Sequence, residues 1–151
     1  MRQATPPFGA AISATRLFRQ DIIAVASPLI VQGIPLPLAP DALTHMTKLH
    51  DAHDLWPAFL KALDVIDNGG HGLRLSQTAL AIDAALSGQG IALVSAFLVA
   101  RDLAAGSLVQ VTPQRLTGAQ DFYLLAQTSS RRSAATEVVL QWLISKAAPD
   151  E

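Results

Sequence analysis

Apolar positions along this chain recur with two different periods, and the period changes several times between the N-terminus and the C-terminus. From Leu17 to Ala26 the run Leu-Phe-Arg-Gln-Asp-Ile-Ile-Ala-Val-Ala predicts one strand or two short strands, since Ile22, Ile23 and Val25 supply β-branched side chains. Ser27-Pro28 ends it, and the prolines and glycine between Leu29 and Pro40 oppose regular structure. A short helix is expected over Asp41 to His45 and a short strand at Lys48 to His50. Asp54 stands where an N-cap belongs, and Pro57 fits the first turn of a helix that places Trp56, Phe59, Leu60 and Leu63 on one face. The turn signal Asp67-Asn68-Gly69-Gly70 then precedes a strand at His71 to Leu75 and a helix from about Gln77 to Leu86, for which Ser76 is the expected cap.

The second half repeats the alternation. Ser87-Gly88 stops the helix, Gly90 allows a tight turn, and Ile91 to Val94 reads as a buried strand. A short helix over Phe97 to Leu103 stops at Gly106, and Leu108 to Val111 forms the next extended piece. Asp121 to Ala126 is a further strand. The last helix starts near Ser133, and Ala135, Val138, Val139, Trp142 and Leu143 form its apolar stripe, which needs a sheet to cover it. Strands interleaved with helices predict an α/β layer arrangement.

Composition narrows the function classes. Half of the 151 residues are apolar and 15% are charged, so a packed core forms readily and disorder is excluded, while part of the apolar surface is available to a partner. With 11 basic and 12 acidic residues the formal charge is -1, which gives no general attraction to a phosphate backbone, so direct DNA binding by this chain is not expected. The absence of cysteine removes disulfides, thiolate nucleophiles and thiolate metal sites. No signal core follows Met1 to Pro7 and no apolar segment approaches the roughly 20 residues that span a bilayer, so a cytoplasmic, non-membrane protein is the expectation.

The chemistry-bearing residues do not assemble into a catalytic motif. His50, His53 and Asp54 offer metal-ligand types without a complete zinc or EF-hand pattern, so neither metal nor cofactor is expected. Ser27, Ser76 and Ser95 lie outside any G-x-S-x-G elbow and fit turn or helix-start roles. Asp64 and Asp67 form a solvated helix end. Gly88-Gln89-Gly90 lacks the dinucleotide fingerprint, and Arg131-Arg132 is too short for a nucleic-acid patch but suits a surface or interface.

One collective pattern goes further. Leu17-Phe18, Val25-Ala26-Ser27-Pro28, Leu49-His50, Trp56-Pro57, the run Ala84 to Leu93, the run Leu103 to Val109, Tyr123-Leu124-Leu125 and Trp142-Leu143 occur in an order and spacing that resembles the C-terminal portion of LysR-type transcriptional regulators, nearest their glycine-cleavage-activator-like branch. The resemblance runs from roughly residue 12 to residue 146. It implies a type 2 periplasmic-binding-protein-like fold with a mixed sheet, in which residues 27–121 form the second lobe of an effector-binding domain. Residues 1–26 and 122–151 then supply the crossover strands, at 17–26 and 122–126, and part of the first lobe with its C-terminal helix.

The resemblance also implies a non-catalytic effector-sensing domain that binds a small metabolite, without the helix-turn-helix of the complete regulators. The ligand-binding positions carried over are Ser27, Leu73, Arg74, Leu75, Ser76, Gln77 and Ser95. Hydroxyls, an amide and free helix-start donors suit a small polar or anionic ligand. An incomplete first lobe implies uncovered apolar groups and strand edges, and hence a homodimer, with exchange of elements as one route. The competing expectation is a truncated structural or interaction protein that no longer binds an effector.

Overall fold

A computed structural model describes residues 2–67, 72–128 and 132–147. The chain divides into two compact units, one made of residues 21–116 and one of residues 1–20 with 117–151. Strands alternate with helices through the first.

The 21–116 unit is built around β3 (Asp21–Ala26), where the alternating pattern around Ile22 to Val25 is realised as a central strand. β4 (Lys48–His50), β5 (Gly72–Arg74), β6 (Ile91–Ser95) and β7 (Val109–Gln110) complete a sheet in the order β5-β4-β6-β3-β7. β4 runs parallel to both β5 and β6, whereas β3 is antiparallel to β6 and β7, so the sheet is mixed. Its helices are α1 (Ala42–His45), α2 (Trp56–Ala62), α3 (Thr78–Leu86) and α4 (Ala100–Ala105), with single 3-10 turns at Pro28–Ile30 and Ala96–Val99.

Period-2 alternation splits the strand residues between two faces. Ile22, Ala24, Ala26, Ile91 and Leu93 pack with Leu43, Trp56, Phe59 and Leu60 on one side. Ile23, Val25, Leu49, Ala92 and Val94 pack with Ala81, Ala84, Ala85 and Val99 on the other. Both faces are therefore covered, which explains the continuous apolar run at Ile91 to Val94. The close approach at Gly90 is part of this packing, because a Cβ there would lie 2.4 Å from the Thr47 carbonyl oxygen.

In the other unit, β1 (Arg2–Ala4) and β2 (Ile12–Phe18) flank β9 (Asp121–Gln127) in an antiparallel sheet of order β1-β9-β2, whereas β8 (Leu116–Thr117) pairs with β3 in the larger sheet. The extended segment Leu17 to Ala26 is thus two strands, with Arg19 and Gln20 between them. α5 (Ala134–Ala147) packs on β2, and its first turn is capped by Ser133, whose Oγ accepts from the Thr136 N–H at 3.2 Å.

Three local expectations are corrected. Asp54 does not cap α2: the N-cap is Leu55, which makes no side-chain capping bond, and Asp54 has φ of +42° with its carboxylate directed to other partners. Ser76 does not cap α3, whose N-cap Gln77 also makes no side-chain capping bond. The stripe Ala135, Val138, Val139 and Trp142 does not face a sheet, since Val138, Val139 and Trp142 are 69%, 54% and 57% exposed, and the residues buried in α5 are Leu140 and Ala147. The helix is apolar on two sides, so its periodicity could not choose between them. The turn at Asp67 to Gly70 and the start of the strand at His71 lie wholly or partly outside the described residues, as does Arg131.

Candidate functional site

The parallel strands β4, β5 and β6 end together at one edge of the larger sheet, and polar side chains gather in the loops that follow them. His50 ends β4, Arg74 ends β5 and stands opposite His50 in the register, and Ser95 ends β6. The chain then turns into α2 after β4 and into α3 after β5. Ligand sites of α/β sheets lie at this end of the strands because the helix starts and loops there supply unpaired donors.

Asp51 ties the β4 loop to the start of α3, and Asp54 ties it to the end of β5. Asp51 accepts from the Thr78 hydroxyl at 2.5 Å and from the His53 N–H at 2.9 Å. Asp54 accepts from His50 Nδ1–H at 2.6 Å through Oδ1 and from Arg74 Nη1–H at 3.2 Å through Oδ2. The His50 hydrogen bond, with Arg74 adding to it against the opposing effect of burial, holds the Asp54 carboxyl below its ordinary range. The His50 ring lies against β5, where a Cβ on Gly72 would come within 2.6 Å of Nε2. Leu75 N–H donates to the His50 carbonyl at 2.8 Å, which continues the β4–β5 pairing past the strand ends.

The structure brings most of the expected positions to this edge. Leu73, Arg74, Ser76 and Gln77 are exposed there, Leu75 is half-buried against the α3 side of the core, and Ser95 is buried at the end of β6. Ser27 does not join them. Ser95 stands opposite Ile22 at the start of β3, whereas Ser27 follows the other end of that strand, on the order of 15 Å away at the usual strand rise. Ser27 instead accepts from the Leu29 N–H through Oγ at 3.4 Å and starts a 3-10 turn.

His50, Asp51, Asp54 and Thr78 were not among the expected ligand positions. Their signal in the sequence was the density of His and Asp between His50 and Asp54, but its partners Arg74 and Thr78 lie 20 and 27 residues away from the carboxylates they meet. Among the described residues, no group of three or more His, Asp and Glu side chains is placed to hold a metal ion. A separate cavity of about 500 Å³ lies elsewhere in the same unit, lined by Leu36, Pro37, Gln110, Thr112, Pro113 and Arg115. Among the described residues, no helix is long and apolar enough to cross a membrane.

A mixed sheet covered on both faces and a second small antiparallel sheet define a type 2 periplasmic-binding-protein-like fold, and solved structures share this architecture. The effector domain of the transcriptional regulator AmpR of Pseudomonas aeruginosa is similar with a TM-score of 0.71 and 21% identity, covering 93% of this chain and 67% of that one. The regulatory domain of AphB in Vibrio vulnificus is similar with a TM-score of 0.70 and 20% identity, covering 95% of this chain and 73% of that one.

The sequence itself carries the assignment to a particular family: residues 4–148 match the LysR substrate binding domain, and the chain belongs to that family. It is 29% identical over 138 residues to the glycine cleavage system transcriptional activator of Escherichia coli K12, and 28% identical over 142 residues to a homolog of that activator from Haemophilus influenzae. These alignments cover 90% and 93% of this chain but 45% and 47% of the relatives, so the chain spans less than half their length. The resemblance seen in the scattered motifs is thereby confirmed, and the match is to a regulatory, non-catalytic domain rather than to an enzyme.

Proposed function

We propose that this chain is an effector-sensing domain of a LysR-type transcriptional regulator, which binds a small metabolite without transforming it. The observation that carries the reading is the family match over residues 4–148 together with the polar edge formed by the ends of β4, β5 and β6. The ligand wall consists of Arg74, Ser76 and Gln77 after β5, with Leu73, Leu75 and Ser95 shaping it, and Ser27 has a turn role. By the family resemblance the second lobe is the segment 27–121 and the remainder supplies crossover strands and part of the first lobe, while the compact unit of residues 21–116 also takes in β3. The protein works in the cytoplasm.

Binding transmits through dimer geometry in this reading, since a ligand shifts a conformational equilibrium only when it binds one arrangement better than another. A homodimer accounts for the exposed Val138, Val139 and Trp142 on α5. With a formal charge of -1, DNA contact is left to another segment or chain.

A thermal-shift screen against a metabolite panel tests the function, with glycine included because the Escherichia coli relative is a glycine cleavage system transcriptional activator. A ligand at 100 times its Kd stabilises the folded chain by about 2.7 kcal/mol. A saturable shift, confirmed by calorimetry, is expected. Failure of every compound to stabilise the protein would favour the alternative of an interaction module that binds no effector, for which the exposed Trp142 face is the supporting observation.

A further inference from the structure

The edge that follows β4 and β5 has its carboxylates occupied and its guanidinium largely free. Both oxygens of Asp54 are engaged, by His50 and by Arg74, and both oxygens of Asp51 are engaged, by Thr78 and by the His53 N–H. Arg74 uses Nη1 alone among the described residues, and its side chain is 74% exposed. A guanidinium carries five N–H donors in a rigid fork, so most of that fork faces outward. The unengaged charged group at this edge is a donor, and its complement is an acceptor with two oxygens.

The construction behind Arg74 exceeds what an exposed ion pair needs. Asp54 reaches it from a left-handed backbone at φ +42°, a conformation that aspartate tolerates better than most residues with a Cβ. An exposed ion pair contributes little to stability. The ion pair with Arg74 alone does not explain why Asp54 is also held by the half-buried His50 imidazole at 2.6 Å. The surroundings here are specific: the imidazole that holds Asp54 lies against β5 only because position 72 has no side chain.

We infer that Asp54, fixed by His50, is a positioning residue that aims the Arg74 guanidinium at a ligand carboxylate, so that the effector class is a small carboxylate. This rests on the ligand-sensing reading given above. The expected loss on removing a charge-assisted hydrogen bond corresponds to roughly tenfold or more in affinity.

The test follows the Arg74 Nε–Hε resonance of the ¹⁵N-labelled full chain during titration with acetate, glycine and succinate, and with acetamide and glycinamide as uncharged-end controls, at constant ionic strength. Saturable shifts with the carboxylates and none with the amides are expected. Arg74→Gln is expected to weaken carboxylate binding about tenfold or more. Asp54→Asn is expected to weaken it about fivefold or more and to raise the mobility of the Arg74 side chain, with Tm within a few degrees of the parent. Equal binding of amides and acids, or unchanged affinity in Asp54→Asn, would overturn the inference. A saturable neutral ligand that leaves Arg74 unmoved overturns the carboxylate assignment but keeps the sensing function, whereas absence of any saturable ligand removes both.

Discussion

The 21–116 unit and the unit formed by the two ends of the chain treat their apolar surface differently. In the first, Ile22 to Ala26 and Ile91 to Val94 are buried from both sides by helices and loops, with Trp56 and Phe59 fully enclosed. In the second, a three-stranded sheet carries α5, which buries Leu140 and Ala147 and leaves Val138, Val139 and Trp142 open. Two tryptophans illustrate the contrast. Trp56 is 1% exposed and donates its indole N–H to the Leu49 carbonyl at 3.0 Å, whereas Trp142 is 57% exposed. One unit completes its own core, and the other presents an apolar helix face that something else must cover or water must tolerate.

The largest expected effect comes from the enclosed unit. Trp56→Ala should lower stability by about 3–5 kcal/mol, measured by urea unfolding, because it opens a cavity and removes the indole hydrogen bond to the Leu49 carbonyl. A loss below about 1 kcal/mol would mean that the core around α2 is not packed as described. Next, Gly90→Ala should cost about 1–3 kcal/mol, since its methyl group meets the Thr47 oxygen and must displace strand β4. Unchanged stability there would place β4 and β6 further apart than the structure does.

Asp54→Asn should cost about 0–1 kcal/mol at neutral pH, because the group is partly exposed. The sign of its pH dependence is fixed by the lowered carboxyl pKa. The contribution is present above the unfolded carboxyl value, near 3.9, and is lost as pH falls through the lower folded value. Parent and variant should therefore converge in strong acid, and divergence on acidification would contradict the pairing with His50 and Arg74. Smallest of all, Trp142→Ala should change the stability of the isolated chain by no more than about 0.5 kcal/mol. In a homodimer that buries this face the same substitution should weaken association, read by light scattering across a dilution series.

The same comparison explains what the sequence disclosed. Local alternation and helix punctuation made β3, β6, α3 and the stop at Gly106 legible, because each is decided by neighbouring residues. Pairing across the sheet was not legible: the register that places Ser95 beside Ile22 also carries Ser27 to the opposite edge. Asp54 read as a cap because its position before α2 is right, yet its backbone and its two partners make it a bridge between β4 and β5. In α5 both Leu140 and Trp142 belong to apolar stripes, and only the presence of β2 beneath one of them decides which is buried.

The most direct test of the sensing account is hydrogen exchange of the full chain with and without the compound that gives the largest thermal shift. The account predicts selective slowing in peptides covering residues 48–56 and 72–80, with little change around the cavity lined by Leu36 and Arg115. Protection confined to that cavity, or to α5, would contradict the assignment of the ligand site to the ends of β4, β5 and β6.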